Sequence, residues 1–376
     1  MRILHILEAA HGGTRRHILD LLPALQQCGA HCDLIYSPLR HAAFARDAQE
    51  LEKRAIGVFS VPMARGWGGK RDAAALRLLR QHLRAHRYDI IHCHSTKAGM
   101  LGRLAKLAAA RSTPVVYTPH CVAFDTGLPR PQRRAARMLE QWLAPLTAQF
   151  IAVARHEYSV LRRAGLLKHS RATVIYNGVD LDAFDALASR PPASVLQSPA
   201  VGCFGRLSAQ KNQATLLRAW PQVLRAVPEA QLSFVGSGEE EAQLRALSER
   251  LKIADRVLWR GEREEARPLY REFDLIAQPS RWEGCPYSVL EAMAARRAIV
   301  AARAGGVPEL LAPDAGVLLH PSGDAATLAR HLVVVLQDEA LRATLGAAAR
   351  RRVEEKFRLE TMVEKTLEVY REVMAV

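Results

Sequence analysis

The feature that most narrows the possible folds is a rhythm that occurs twice. Apolar runs suited to buried parallel strands fall at 2–7, 32–36, 56–61, 88–93, 114–118, 149–153 and 172–176. Stretches of helical periodicity lie between them, as at 14–27, 72–86 and 132–146. The pattern stops at 177–199, where Asn177-Gly178 signals a turn and Ser189, Pro191, Pro192, Ser194, Ser198 and Pro199 follow. It then resumes, with strands predicted at 200–205, 231–236, 256–260, 273–278, 298–302 and 315–319. Helices are predicted at 210–226, 239–251, 286–296 and 324–337, with a helical tail over 338–373. Strands alternating with helices bury a parallel sheet on both faces. The predicted fold class is therefore α/β, with two Rossmann-like doubly wound domains facing across a cleft. A chain of 376 residues suits two domains of ordinary size.

Charge is unevenly spread over these halves. Residues 1–176 hold 27 basic and 11 acidic side chains, the remainder 26 and 27, so the whole excess of +15 belongs to the first half. Such a surface attracts nucleic acid, anionic lipid or phosphorylated substrates. Aromatics are 6% of residues and no nucleic-acid module is recognisable, so base stacking has little support. Six scattered cysteines fit reduced thiols rather than a disulfide frame. No run of 18 apolar residues occurs. Met1 to Leu7 reads as a first strand rather than a leader.

Chemistry concentrates in the second half. In Pro279-Ser280-Arg281-Trp282-Glu283-Gly284-Cys285-Pro286-Tyr287-Ser288-Val289-Leu290-Glu291, a loop turns into a helix near Pro286. The free N–H groups of that first turn suit an anion. Glu283 on the loop and Glu291 in the helix are apt for polyol hydroxyls. Alone, such a pair reads as a cap and a solvated helix residue; the surrounding motif favours a ligand. In Phe204-Gly205-Arg206-Leu207-Ser208-Ala209-Gln210-Lys211-Asn212, a strand ends on glycine and two cations follow, matched to a diphosphate.

These two motifs, with Tyr176-Asn177-Gly178-Val179-Asp180 and Gly305-Gly306-Val307-Pro308-Glu309, resemble the retaining family four glycosyltransferases of the GT-B fold. The resemblance implies transfer of a hexose-type sugar from a nucleotide-diphosphate sugar of UDP or GDP type, with retention and no metal or other cofactor. Arg206 and Lys211 would hold the diphosphate and Glu291 the ribose. Glu283 would contact the transferred sugar, helped by backbone from Gly284, Cys285, Pro286 and Tyr287. Gly12 and Gly13 resemble the family's glycine loop over the donor, and His120 its histidine at the sugar-facing edge. The division expected is an acceptor domain over 1–180, a linker over 181–199, a donor domain over 200–357, and a helix over 358–376 packing back on the first domain.

Arg15 and Arg16 are candidates for an anionic acceptor, and Arg130, Arg133, Arg134 and Arg137 for a membrane surface. The expected partners are the sugar donor, a lipid-linked or phosphorylated acceptor in cell-surface polysaccharide or glycan assembly, and an anionic membrane at its cytoplasmic face, with no nucleic acid. Asp180-Leu181-Asp182 imitates a metal-sugar string but reads as a cap, and Gly236-Ser237-Gly238 as lining of the nucleotide pocket. His92-Cys93-His94 imitates a metal pair, and zinc is not expected there. A nucleotide-sugar epimerase on the same fold and a basic nucleic-acid-binding protein are the competing readings.

Overall fold

The computed structural model describes residues 1–39, 41, 43–64, 66, 68–109, 112–188, 199–311 and 318–375. They form two compact units: residues 1–177 with 359–376, and residues 178–358. The first unit contains β1 (Arg2–Leu7), α1 (Gly12–Gln27), β2 (His31–Tyr36), α2 (Phe44–Lys53), β3 (Gly57–Ser60), α3 (Lys70–Ala85), β4 (Ile90–His94), α4 (Thr96–Ala108), β5 (Val115–Thr118), α5 (Arg130–Leu143), β6 (Gln149–Ala152), α6 (Arg155–Arg163) and β7 (Arg171–Val174). Its parallel sheet has the order β3-β2-β1-β4-β5-β6-β7. The order reverses between β1 and β4, and the carboxyl ends of strands beside such a reversal are where ligands of these folds bind.

The second unit contains α7 (Leu181–Ala188), β8 (Ala200–Phe204), α8 (Gln213–Ala226), β9 (Gln231–Val235), α9 (Glu241–Arg250), β10 (Val257–Trp259), β11 (Leu275–Gln278), α10 (Tyr287–Ala294), β12 (Ala298–Ala302), α11 (Val307–Leu310), β13 (Leu318–His320), α12 (Ala325–Gln337) and α13 (Glu339–Lys356). Its sheet runs β10-β9-β8-β11-β12-β13, with the switch between β8 and β11. The chain then enters α14 (Leu359–Met374), whose Met362, Val363, Leu367 and Tyr370 join the first unit's core beside Ile18, Leu21 and Leu25 of α1.

One boundary and one element differ from the sequence reading. Leu181–Ala188, expected in the linker, is helix α7 of the second unit. Asp180 Oδ1 accepts from Ala183 N at 3.0 Å to cap it, and Asp185 pairs with Arg350 of α13 at 2.7 Å. The rest of the expected linker, 189–198, lies outside the described residues. The helical tail is also broken, because Phe357 O accepts from Val179 N at 2.9 Å and Arg358 bridges Val179. Those backbone pairings are incompatible with a continuous helix. Among the described residues no helix is long and apolar enough to cross a membrane.

Candidate active site

In the second unit the two motif loops leave the carboxyl ends of β8 and β11 at the switch point and are stitched together. Arg281 N donates to Gln210 O at 2.8 Å, Gln210 Nε2 to Trp282 O at 3.1 Å, and Asn212 Nδ2 to Pro279 O at 3.2 Å. Asn212 caps α8 with a left-handed backbone, φ 54°, so the helix starts at Gln213 rather than near Gln210. That leaves Lys211 on the loop. Its Nζ lies 2.7 Å from Glu283 Oε1. The same oxygen accepts from Ser280 Oγ at 2.7 Å and Gln278 Nε2 at 3.0 Å. Three donors on one buried oxygen fix the carboxylate and direct the ammonium, while Oε2 takes none of these bonds.

Arg206 sits on the same loop, half-buried, its Nε 4.0 Å from Glu239 Oε2. Its carbonyl accepts from Gln213 Nε2 at 3.0 Å, which ties the loop to the first turn of α8. Close backbone packing explains the glycines. A Cβ on Gly236 would stand 2.2 Å from Gly205 O, one on Gly238 2.3 Å from Leu207 O, and one on Gly305 1.8 Å from Glu283 O. Gly236-Ser237-Gly238 thus buttresses the arginine loop, and Gly305 the Glu283 loop.

Glu291 lies midway along α10 and accepts from Tyr270 Oη at 3.0 Å. Tyr270 is buried and stacks on Phe204, ring centroids 3.9 Å apart and planes 8° apart. Pro286 is the residue before the helix rather than its first member, and Gly284, Cys285, Pro286 and Tyr287 are all buried. A phenylalanine at 270 removes the bond that orients Glu291 and leaves the stacking. With Glu291 on the donor ribose, as the motif resemblance implies, the expected result of Tyr270→Phe is a donor KM raised about threefold to tenfold with kcat within twofold, checked by steady-state kinetics with the donor varied.

The first unit assembles a different group. Gly12 and Gly13 open helix α1 directly, with Gly12 at φ 56°, rather than forming a loop. Arg15 and Arg16, expected to serve an anionic acceptor, are on that helix and are engaged elsewhere. Arg15 makes a two-point pair with Asp47 at 2.6 and 2.7 Å, and Arg16 pairs with Asp20 at 2.7 Å. Carboxylates from α2 and the next turn of α1 thus balance their charge. Arg130, Arg133, Arg134 and Arg137 are all exposed on α5, as expected of a surface patch.

His120 follows β5 in the left-handed region, φ 62°, which is uncommon for a residue other than glycine and marks a constrained position. It belongs to a cluster that the sequence did not reveal. His5 on β1 is paired in register with His92 on β4; His94 lies two residues on, on the same face. His17 comes from α1. Burial holds His5 down at about 3 and His17 at about 4, and pushes His92, His94 and His120 well below the usual histidine value. All five are neutral at physiological pH. The detectable signal was histidine inside otherwise apolar strands.

Residues 11–183 match the Glycosyltransferase Family 4 description and residues 198–338 match Glycosyl transferases group 1. With the two parallel-sheet units, this places the chain in the GT-B glycosyltransferases of family four and group 1. A UDP-Gal:alpha-D-GlcNAc-diphosphoundecaprenol alpha-1,3-galactosyltransferase of Escherichia coli is 25% identical over 332 residues, covering 84% of each chain. A D-inositol 3-phosphate glycosyltransferase of Streptomyces avermitilis is 30% identical over 307 residues, 75% of this chain and 65% of that one. The fold is shared with Anabaena HepE, solved with UDP and glucose, at a TM-score of 0.81 and 24% identity over 98% of this chain and 99% of that one.

Proposed function

We propose that this chain moves a hexosyl unit from a UDP- or GDP-type nucleotide sugar onto an acceptor hydroxyl, with retention at the anomeric carbon and without a catalytic metal. The observation that supports this most is Lys211, held 2.7 Å from Glu283 at the β8/β11 switch point with Arg206 on the same loop. Two cations on one loop, Lys211 held by Glu283, stabilise the charge that grows on a departing diphosphate. In the substitution, the bond between the anomeric carbon and the diphosphate oxygen breaks. The acceptor oxygen bonds to that carbon from the same face and gives its proton to the leaving phosphate. No protein nucleophile is required, so the chain's work is orientation and charge compensation. In this scheme, within the second unit Glu291 takes the ribose hydroxyls, Glu283 Oε2 takes a sugar hydroxyl and the N–H groups opening α10 face phosphate. Within the first unit His120 is a donor to a sugar hydroxyl and the N–H groups opening α1 face phosphate or sugar oxygens.

The E. coli relative's name specifies a diphosphoundecaprenol substrate, which favours a lipid-linked or phosphorylated acceptor here. Helix α5 supports a working position at the cytoplasmic face of an anionic membrane. Arg130, Arg134, Met138 and Trp142 recur every fourth residue, and Met138 and Trp142 are 60% and 64% exposed. A basic stripe continued by exposed apolar side chains suits a headgroup boundary. Reversing charge at Arg133 and Arg134 is expected to weaken binding to phosphatidylglycerol vesicles at least tenfold at physiological salt. Binding unchanged by that reversal removes the membrane reading.

The test of the reaction is a panel of nucleotide sugars scored by thermal shift and by release of free nucleoside diphosphate, with the product's anomeric configuration read by NMR. One donor is expected to stabilise the protein and to release nucleotide in the presence of acceptor and a chelator. An inverted product, or turnover abolished by the chelator, overturns the proposal. Consumption of donor without any acceptor points to an epimerase.

A further inference from the structure

Four buried histidines and the half-buried His120 of the first unit are too costly to be incidental, since each carries an N–H and a lone pair needing a partner. Their bonds form an ordered chain. His5 Nδ1 lies 3.1 Å from His94 Nε2, and His94 Nδ1 lies 3.2 Å from His120 Nε2. The rings are inclined to one another by 16° and 27°. His5 Nε2 is fully buried and has no partner. A buried N–H without an acceptor is rarer and costlier than a bare lone pair. The single proton of neutral His5 therefore sits on Nδ1 and is donated to His94 Nε2. That leaves His94 its proton on Nδ1, donated in turn to His120 Nε2. His120 must then carry its own proton on Nδ1, which makes no hydrogen bond to any described residue and belongs to a half-buried ring.

We infer that His5 and His94 are positioning residues that set the tautomer of His120, so that it presents Nδ1–H as a fixed donor to an oxygen of the ligand at the carboxyl edge of the first sheet. The identity of that ligand as a sugar hydroxyl rests on the proposed function; the tautomer does not. His17 completes the seating. Its Nδ1 lies 3.1 Å from Asn177 Oδ1 and its ring packs edge-on to His120, centroids 4.6 Å apart. Both nitrogens of His92 are engaged, with Tyr370 Oη at 2.6 Å and Thr118 Oγ1 at 2.8 Å.

A metal held by His5, His92 and His94 would have to displace a hydroxyl partner of His92, both of whose nitrogens are engaged, and one held by His17, His94 and His120 is the other alternative that the clustering of nitrogens raises. The second requires bare nitrogen at His94 Nδ1 and His120 Nε2. The His94 proton then moves to Nε2, against His5 Nδ1, and forces the His5 proton onto buried Nε2 with no acceptor. The hydrogen-bond arrangement favours the relay.

The test is a long-range proton–nitrogen correlation spectrum of the full chain labelled with nitrogen-15 histidine, combined with His5→Asp and His5→Asn. The wild type is expected to show Nδ1–H on His5, His94 and His120. Aspartate can only accept, so His5→Asp reverses the chain and moves the His120 proton to Nε2, with kcat/KM for the donor falling about tenfold or more. Asparagine offers an N–H in the same place, and His5→Asn stays within about threefold. An Nε2–H signal on wild-type His120, equal kinetics for the two variants, or one metal ion per chain in the purified protein overturns the inference. If His5→Asp does not fold, the wild-type spectrum still decides it. A wild type with Nδ1–H on His120 that turns over no nucleotide sugar keeps the relay and removes the glycosyl-transfer reading.

Discussion

On the proposed reaction, Lys211→Ala is expected to lower kcat for glycosyl transfer by about 10²–10³, the magnitude found when one preorganised donor to a developing anion is lost. The size follows from where the ammonium is held. It sits on a loop anchored to its neighbour at Gln210, Asn212 and Arg281, and Glu283 fixes its direction at 2.7 Å. No reorganisation is needed when the diphosphate departs, so the contribution is concentrated in the transition state and kcat falls more than KM rises. Glu283 Oε1 keeps Ser280 and Gln278 as donors, but its buried carboxylate loses its cation, so the melting temperature of the variant is expected to fall. Lys211→Arg keeps the charge but moves it outward on a wider group, and is expected to recover only part of the loss. The measurement is steady-state kinetics beside a thermal melt of each variant. A drop in kcat smaller than fivefold for Lys211→Ala, in a folded protein, means that this cation is not aimed at the leaving group.

The parts of this site that were legible in the sequence are those encoded locally. Gly205, Arg206 and Lys211 follow one strand, Glu283 and Glu291 straddle the start of one helix, and the alternation of elements places both loops at strand ends. What was not legible depends on partners far along the chain. The charges of Arg15 and Arg16 were visible, but Asp47, 32 residues from Arg15, was not visible as its partner. The backbone turn at Asn212 moved the start of α8, because the residue's side chain bonds to Pro279, 67 residues away. The histidine chain joins positions 26 and 89 residues apart, and the registers of β1 on β4 and of β4 on β5 bring them together. The buried Arg103–Glu140 pair, 2.8 Å long and also bonded by Tyr117, links α4 to α5 and was equally silent. Sequence periodicity identified the strands, but it cannot say which polar side chains inside them find each other.

That same cluster makes the first unit acid-labile. The folded-state values of His5, His17, His92, His94 and His120 all lie below the 6.5 of an unfolded histidine. Above pH 6.5 both states are neutral and the cluster carries no penalty. As the pH falls below 6.5, the unfolded chain takes up protons that the fold refuses, so stability declines until the folded groups themselves titrate, near 4 for His17 and 3 for His5. At pH 5 each refused proton costs about 2 kcal/mol at most. Even half of that, over five residues, is comparable to the ordinary 5–15 kcal/mol stability of a domain. Glu157 acts the other way, since burial raises its carboxyl to about 7 and the fold gains from protonating it, but it is one group against the five and His82, which burial also lowers to about 4. The expected result is a melting temperature for the first unit lower by more than about 10 °C at pH 5 than at pH 7.5. Amides of β1, β4 and β5 should lose hydrogen-exchange protection before those of β8 and β11, whose strands carry no histidine. A melting temperature that stays level between those two pH values means that the imidazoles accept protons in place, and that they are not the sealed, neutral group their burial requires.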